Sequence, residues 1–91
     1  MEIEFDHAKD AQNIRRHGIS LTASNDLSWD EALAWPDERF AYDEFRMSAL
    51  APLGDRLYFV AFVDRGEVRR VIMMRDANRR EVQDYGRNRY N

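Results

Sequence analysis

The chain has 91 residues, no cysteine and a formal net charge of −3. Its length fits one domain with a single modest core, and the lack of cysteine excludes disulfides, thiolate metal sites and cysteine nucleophiles. Residues 1–64 carry six Arg or Lys against thirteen acids, whereas residues 65–91 carry eight Arg against four acids. This asymmetry favours an acidic part that meets a partner and a basic part that meets phosphates, although a solvated Arg-rich helix and strand would give the same pattern.

The first predicted elements are a short strand and a helix. Met1–Phe5 alternates apolar and acidic residues, which is typical of a short edge strand. Asp6 is a candidate N-cap for a helix over His7–His17, and Gly18 is its expected C-cap. Ser20 is a second N-cap candidate, before a short and poorly defined helix.

The remaining sequence predicts four strands and a closing helix. The strands are Ala32–Trp35, Phe45–Leu50, Leu57–Val63 and Glu67–Arg75, with turns at Pro36–Glu38, Pro52–Asp55 and Asp64–Gly66. The helix begins at Asn78 and ends near Gly86, followed by a frayed tail. Leu57–Val63 is apolar at both odd and even positions, as in a strand covered on both faces. We therefore expect an α+β fold in one domain over residues 1–91: an antiparallel sheet of four to five strands, covered by N-terminal helices and a C-terminal helix.

Metal sites and membrane spans are not expected. The two histidines, His7 and His17, form no recognisable ligand pattern, so we predict neither a metal nor a cofactor. The acidic N-terminus lacks the features of a signal peptide, and no apolar run is long enough for a bilayer. These observations predict a cytoplasmic protein with no membrane partner.

Two separated motifs resemble the BrnT family of bacterial toxins. The first is FDHAKDAQNIRRHGIS over residues 5–20, which matches at Phe5, Asp6, Lys9, Asn13, Arg16, His17, Gly18, Ile19 and Ser20. The second is RVIMMRDANRREVQDY over residues 70–85, which matches at Arg70, Val71, Ile72, Arg75, Ala77, Glu81 and Tyr85. Arg46, Gly54–Leu57 and Arg65–Gly66 match between them, so the resemblance covers nearly the whole chain.

The resemblance implies the toxin half of a type II toxin-antitoxin pair, with a RelE-like fold and a ribonuclease activity that inhibits translation. It also implies a cognate antitoxin similar to ribbon-helix-helix proteins, with mRNA as substrate and operator DNA bound indirectly through the antitoxin. The chain departs from the family at Met73–Met74, where the family has Ser-Ala, at Leu21–Ala23, and in its isoelectric point near 5.3. The alternative reading is a catalytically inactive toxin-like module that acts only through complex formation.

Metal-independent RNA cleavage by the 2′-hydroxyl needs a base, a cation for the phosphoryl oxygens and an acid for the leaving oxygen. Arginine suits the second role, because its fork binds two phosphate oxygens. Strand parity places Arg69 and Arg75 on one face and Arg70 on the other, unless a bulge intervenes. We expect Arg75 to bind the phosphate, with Arg69 on the same surface and Arg46 joining from the neighbouring strand. Arg70 is either a phosphate contact at the strand end or the partner of an ion pair to a helix.

The candidate proton-transfer groups each have a structural alternative. Glu81 and Tyr85 project from one helix face and could act as base and proton donor, but Asn78 and Glu81 also fit a capping box. Tyr85 could instead be a core aromatic residue. His17 could exchange protons or interact with the carboxyl end of its helix.

Several other residues are candidates for binding. Arg79 and Arg80 would face solvent or add to an RNA-binding surface, and Lys9 could approach RNA or pair within its helix. Trp29 and Trp35 could anchor an antitoxin or fill the core. An acidic set could meet basic regions of the antitoxin: Asp26, Asp30, Glu31, Asp37 and Glu38.

Overall fold

The computed structural model describes residues 1–38 and 43–90. The strands in these ranges are β1 (Glu2–Glu4), β2 (Leu33–Pro36), β3 (Met47–Leu53), β4 (Arg56–Arg65) and β5 (Val68–Asp76). The helices are α1 (His7–His17) and α2 (Arg79–Tyr90), with 3₁₀ segments at Leu21–Asp26 and Trp29–Glu31. The α+β class is confirmed.

The five strands form one sheet in the order β1-β5-β4-β3-β2. All neighbours are antiparallel except β1, which pairs in parallel with the first residues of β5. The expectation of a wholly antiparallel sheet is therefore wrong at this edge. The reason is topological, since the first and last strands are joined through the rest of the fold and not through a hairpin.

Two tight hairpins build the centre of the sheet. Leu53 pairs with Arg56 and Arg65 pairs with Val68, so each connection has two residues. The first residue of each connection is a glycine with positive φ, 64° at Gly54 and 62° at Gly66. At this turn position such a backbone is favourable only for glycine. The two glycines therefore account for the positions of both turns.

The core is divided between the two faces of the sheet. One face packs against the 3₁₀ segments, and its fully buried side chains include Leu21, Val60, Phe62, Val71 and Met74. We call this the closed face. The opposite face, which we call the α2 face, has a smaller cluster of Leu50, Phe59 and Ala61 with Met73 and Tyr85 packed against it. The α2 face is therefore the less filled side of the sheet.

The predicted helix caps are confirmed at α1 and at the first 3₁₀ segment. Asp6 accepts a hydrogen bond from the Ala8 backbone N–H at 2.7 Å, which lowers the pKa of its carboxyl. Gly18 adopts φ 70° and donates to the Ile14 carbonyl. Ser20 accepts from the Thr22 N–H, but the segment that it caps is a 3₁₀ helix and not an α-helix.

The closing helix is longer than predicted. α2 runs through Tyr90, whereas the sequence predicted an end near Gly86 and a frayed tail. Gly86 does not have the positive φ of a helix stop. Asp84 supports the last turns instead, since Arg87 pairs with its carboxylate at 2.9 Å and the Asn88 amide donates to its carbonyl at 2.8 Å. Local polar contacts thus outweigh the low helix propensity of glycine.

Candidate active site

A β-bulge in β5 decides which arginines share a surface. Ala61 pairs with Met73, but the next residue of β4, Phe62, pairs with Val71, which leaves Ile72 as the extra residue. The side-chain alternation of β5 is therefore reversed beyond Ile72. On the N-terminal side of the bulge, β5 pairs with β1. On its C-terminal side, Met74 is held by a side chain of α1.

That side chain is Asn13, which is 4% exposed. Its amide nitrogen donates to the Met74 carbonyl at 2.8 Å, and its oxygen accepts from the Met74 N–H at 3.2 Å. The same nitrogen donates to the Ile19 carbonyl at 2.9 Å. Asn13 thus replaces a neighbouring strand at the edge of β5, where β1 has ended.

Because of the bulge, Arg70 and Arg75 lie on the α2 face and Arg69 lies on the closed face. Arg75 pairs with Phe59 and Arg70 pairs with Val63, two residues of equal parity on the continuous strand β4. The expectation that Arg69 and Arg75 share one surface is therefore wrong. The residue joining Arg75 on its face is Arg70, which forms an ion pair with Glu4 at 3.1 Å.

Arg69 has a structural environment on the closed face. Its guanidinium forms two hydrogen bonds to Asp64, at 2.7 and 2.8 Å. It also lies over the rings of Trp29 and Phe62, with distances of 4.6 and 4.1 Å to the centroids. The side chain is only 19% exposed, so its charge is largely neutralised and covered.

Arg75 is held in place from two sides. Its guanidinium lies 4.3 Å from the centroid of the Phe59 ring. Nη1 donates to Glu81 Oε1 at 2.8 Å and Nη2 donates to Oε2 at 2.9 Å; Nη1 also donates to the Asp76 carbonyl at 3.2 Å. In the described part of the chain no hydrogen bond is formed by Nε of Arg75. The edge formed by Nε and Nη2 thus still has donors for an incoming anion.

Glu81 also closes the capping box at the start of α2. Its Oε1 accepts from the Asn78 N–H at 2.9 Å, and the Asn78 side chain accepts from the Glu81 N–H at 2.8 Å. The hydrogen bond from Arg75 holds the pKa of Glu81 below its ordinary value, against the opposing effect of partial burial. Glu81 is therefore an ionised carboxylate that joins β5 to α2.

Tyr85 lies one turn after Glu81 on the same side of α2. Its ring packs against the cluster of the α2 face, and its hydroxyl donates to the Glu31 carbonyl at 2.7 Å. The residue therefore attaches α2 to the segment before β2, in agreement with the core alternative. Arg79 and Arg80 are exposed in the first turn of the same helix.

A basic groove lies at the other end of the α2 face. It is lined by four cationic side chains, Lys9, Arg46, Arg65 and Arg70, together with Asp43, Glu44, Val63 and Ile72. Arg65 forms an ion pair with Glu44, which lowers the pKa of that carboxyl. Lys9 and Arg46 thus line one groove with Arg70. Arg46 precedes β3 and does not line the pocket of Arg75, so the expectation that it joins Arg75 from a neighbouring strand is wrong.

A smaller groove adjoins the basic groove. It is lined by Lys9, Gln12, Asn13, Arg16, His17, Ile72 and Met73. Lys9 and Ile72 line both this groove and the basic groove, while Met73 also lines the pocket that contains Arg75 and Glu81. The three depressions therefore adjoin one another, and Met73 is shared by the groove of His17 and the pocket of Arg75. We call this continuous surface the arginine strip.

Sequence reasoning did not assign a function to Asn13, although its motif was recognised, because its partner Met74 lies 61 residues away. It also placed Arg69 on the wrong face. No cluster of three or more His, Asp or Glu side chains suited to a metal ion occurs within residues 1–38 and 43–90. None of the helices in these ranges has the length and apolar character of a membrane span.

Comparison with known proteins gives one family. A model of the ribonuclease toxin BrnT of type II toxin-antitoxin systems matches residues 5–81. The match therefore includes α1, the whole sheet beyond β1 and the first turn of α2, and with them the arginine strip. No curated protein matches the chain significantly.

Proposed function

Because the chain belongs to the BrnT family of type II toxin-antitoxin ribonuclease toxins, we propose that it cleaves mRNA without a metal ion, and so inhibits translation. Family membership makes it a ribonuclease with an antitoxin partner. The location of the active site on the arginine strip, the chemistry and the cellular effect are the proposal. The observation that carries it is the environment of Arg75, a cation fixed by Phe59 and Glu81 with donors still available.

Arg75 is assigned to the scissile phosphate. Glu81 occupies the end of the guanidinium formed by Nη1 and Nη2, so a phosphate would bind the edge formed by Nε and Nη2. Two parallel N–H donors on that edge match two phosphoryl oxygens. A cation that is already oriented requires little reorganisation as negative charge develops on those oxygens. Glu81 is therefore a positioning residue, and its lowered pKa makes it a poor proton acceptor.

Arg70, Arg46 and Lys9 are assigned to phosphates further along the RNA. The β4 partners of Arg70 and Arg75 are four residues apart, which corresponds to roughly 13 Å along the strand. Two cations at that separation fit different phosphates better than one. Binding should therefore weaken with added salt, as expected for contacts to several phosphates.

His17 is assigned to proton transfer. Histidine is the side chain best suited to exchanging protons near neutral pH, and His17 lines a groove that shares Met73 with the pocket of Arg75. In the proposed reaction the 2′-hydroxyl loses its proton to the imidazole and attacks phosphorus. The bond between phosphorus and the 5′-oxygen then breaks, the leaving oxygen takes up a proton from solvent water, and a 2′,3′-cyclic phosphate and a 5′-hydroxyl remain. Tyr85 supports the site by fixing α2 and is not needed as an acid.

The antitoxin is proposed to be a ribbon-helix-helix protein through which the complex binds operator DNA. Asp26 and Asp30 are exposed in the 3₁₀ segments, and neither lines the three depressions of the arginine strip. These carboxylates would attract a basic region of the partner.

Inducible expression tests the proposal in cells. The parent chain should stop growth and incorporation of labelled methionine into protein, and co-expression of the antitoxin should restore both. Arg75→Ala should be harmless while remaining folded by circular dichroism. Arg87→Ala, which removes an exposed arginine from α2, is the matched control and should remain toxic. A harmless parent chain, or an Arg75→Ala variant as toxic as the parent, would contradict the assignment.

A further inference from the structure

The smaller groove of the arginine strip differs from the other two depressions in the charges that line it. Within the part of the chain that the structure describes, its lining contains no carboxylate, whereas Glu44 lines the basic groove and Glu81 lines the pocket of Arg75. Its charged members are Lys9 and Arg16, both on α1. An anion that enters this groove therefore meets positive charge without an opposing acid.

Most arginines of the C-terminal third are already paired with acids. Ion pairs join Arg65 to Glu44, Arg69 to Asp64, Arg70 to Glu4, Arg75 to Glu81 and Arg87 to Asp84. The partner of Arg70 lies on strand β1, so the alternative of an ion pair to a helix is wrong. Among residues 1–38 and 43–90, by contrast, neither Lys9 nor Arg16 forms an ion pair. Their charges are available to a phosphate without the loss of an existing partner.

One face of α1 presents these two cations to the groove. Lys9, Gln12, Asn13 and Arg16 follow the spacing i, i+3, i+4 and i+7, which places them on the same side of a helix. The buried amide of Asn13 holds this side against β5 through the backbone of Met74. Lys9 and Arg16 are exposed, and seven residues separate them by about 10 Å along the helix axis. Two cations at that separation can contact different phosphates of one strand.

The smaller groove also lies between the cations already assigned to RNA. Its β5 members, Ile72 and Met73, follow Arg70 and precede Arg75 in the strand. The interval of roughly 13 Å between those two arginines leaves room for an intervening phosphate. The groove has a volume of about 130 Å³, below the roughly 300–1,000 Å³ of typical small-molecule sites. It therefore suits a single phosphate group better than a base with its sugar.

The position of Arg16 has a simpler explanation that the chain itself can test. Arg16 lies in the last turn of α1, where any cation interacts favourably with the carboxyl end of the helix. Arg15 has the same side chain in the same turn and is also exposed, but it lines none of the three depressions. Both arginines would serve the helix end alike, whereas a phosphate in the groove would contact Arg16. Arg15 is therefore a matched control.

We propose that Arg16 binds the phosphate next to the scissile phosphate of the RNA, and that Lys9 continues this contact into the basic groove. The inference rests on the proposed function, because Arg75 defines which phosphate is scissile. The planar guanidinium of Arg16 offers two parallel donors to the phosphate oxygens. The contact holds the RNA against the helix that carries His17, the residue assigned to proton transfer.

Binding of a 2′-O-methyl RNA of mixed sequence measures this contact without cleavage, since the RNA lacks the attacking hydroxyl. Fluorescence anisotropy at several salt concentrations gives the dissociation constant and its salt dependence. Arg16→Ala should weaken binding by roughly tenfold, the scale of one hydrogen-bonded contact to a charged group. It should also reduce the slope of log K against log salt by about 0.7, the value for one phosphate of a single strand. Arg15→Ala should retain the affinity and slope of the parent, and Arg16→Lys should retain the slope because the charge remains.

Cleavage kinetics distinguish a binding contact from a role in the chemical step. A contact to a neighbouring phosphate is equally strong before and in the transition state, so Arg16→Ala should raise KM by roughly tenfold and leave kcat within about twofold. Arg75→Ala should instead lose kcat. A loss of kcat at unchanged KM in Arg16→Ala would contradict the assignment to the neighbouring phosphate.

The outcomes separate this inference from the proposed function. Cleavage by the parent chain, with Arg16→Ala binding RNA as tightly as the parent, would overturn the phosphate contact and leave the ribonuclease assignment intact. Binding that depends on Arg16 and not on Arg15, in a chain that does not cut RNA, would support the phosphate contact and contradict the proposed active site. Equal losses of affinity in Arg15→Ala and Arg16→Ala, both folded by circular dichroism, would show a general effect of charge and overturn a specific site.

Discussion

Replacing Glu81 separates the two contacts that this carboxylate makes. Glu81→Gln removes the charge that pairs with Arg75 but retains an amide oxygen that can accept from the Asn78 N–H, since glutamine also serves in capping boxes. Glu81→Ala removes both contacts. The two variants therefore distinguish the ion pair from the helix cap at a single position.

The expected magnitudes follow from burial. The side chains of Arg75 and Glu81 are 28% and 18% exposed, between the surface pairs that contribute about 0–1 kcal/mol and the buried pairs whose disruption costs about 3–5 kcal/mol. We expect Glu81→Gln to lower the free energy of unfolding by about 1–2 kcal/mol, which lies between the values for surface pairs and for buried pairs. Loss of the cap should cost about 1 kcal/mol more in Glu81→Ala.

Urea unfolding at several pH values measures this contribution. Because the folded state lowers the pKa of Glu81, the carboxylate stabilises the protein above its unfolded pKa, and this stabilisation is lost as the pH falls through the folded pKa. The difference between the parent chain and Glu81→Gln should be constant near neutrality and should shrink below about pH 4.3. Asp6 and Glu44, whose pKa values are also lowered, are present in both proteins, so their effects cancel.

Two results would refute this reasoning. Equal stability of the parent chain and Glu81→Gln at neutral pH would show that the ion pair contributes nothing. Equal stability of Glu81→Gln and Glu81→Ala would show that the amide does not maintain the cap.

If Glu81 acts only by positioning Arg75, Glu81→Gln should lower the cleavage rate without changing the shape of its pH profile. Loss of the alkaline or acidic limb in this variant would indicate a direct role in proton transfer.

Three further predictions concern the scaffold. Asn13→Ala should destabilise the chain by about 2–3 kcal/mol because it leaves buried backbone groups of β5 without partners, and hydrogen exchange at Met74 should accelerate; Gln12→Ala, at an exposed neighbour, should do neither. Gly86→Ala should stabilise α2 by about 1 kcal/mol, whereas Gly54→Ala should destabilise the protein by about 1 kcal/mol because Gly54 has a positive φ. An added Cβ meets no atom at either position, so thermal unfolding should show shifts of opposite sign that reflect the backbone alone. Arg69→Ala should reduce stability but retain RNA affinity in filter binding, since its guanidinium lies on the closed face, and a loss of affinity as large as that of Arg75→Ala would contradict the assignment of faces.

Local features of the fold were predictable because they depend on neighbouring residues. The caps of α1 at Asp6 and Gly18, and the glycines of both hairpins, follow from backbone preferences that a short segment expresses by itself. The capping box of Asn78 and Glu81 belongs to the same class. The two family motifs also contain residues from both ends of the arginine strip.

The distribution of the arginines over the two faces could not be predicted, because it depends on contacts between distant segments. Uniform alternation along β5 would place Arg69 and Arg75 on one face of the sheet. Because of the bulge at Ile72, the arginine that shares the face of Arg75 is Arg70 and not Arg69. The edge of β5 changes its neighbour from β1 to the Asn13 side chain in this region. No local signal in RVIMMR indicates that change. The parallel pairing of β1 was missed for the same reason.

The measurement that tests the central claim most directly is cleavage of a defined RNA by the purified chain in EDTA, with analysis of the product ends. The Arg75→Ala protein, shown to be folded by circular dichroism, is the control. We predict products that end in a 2′,3′-cyclic phosphate from the parent chain and none from the control. Cleavage that requires a divalent cation, or equal cleavage by the Arg75→Ala protein, would contradict a metal-independent active site on the arginine strip.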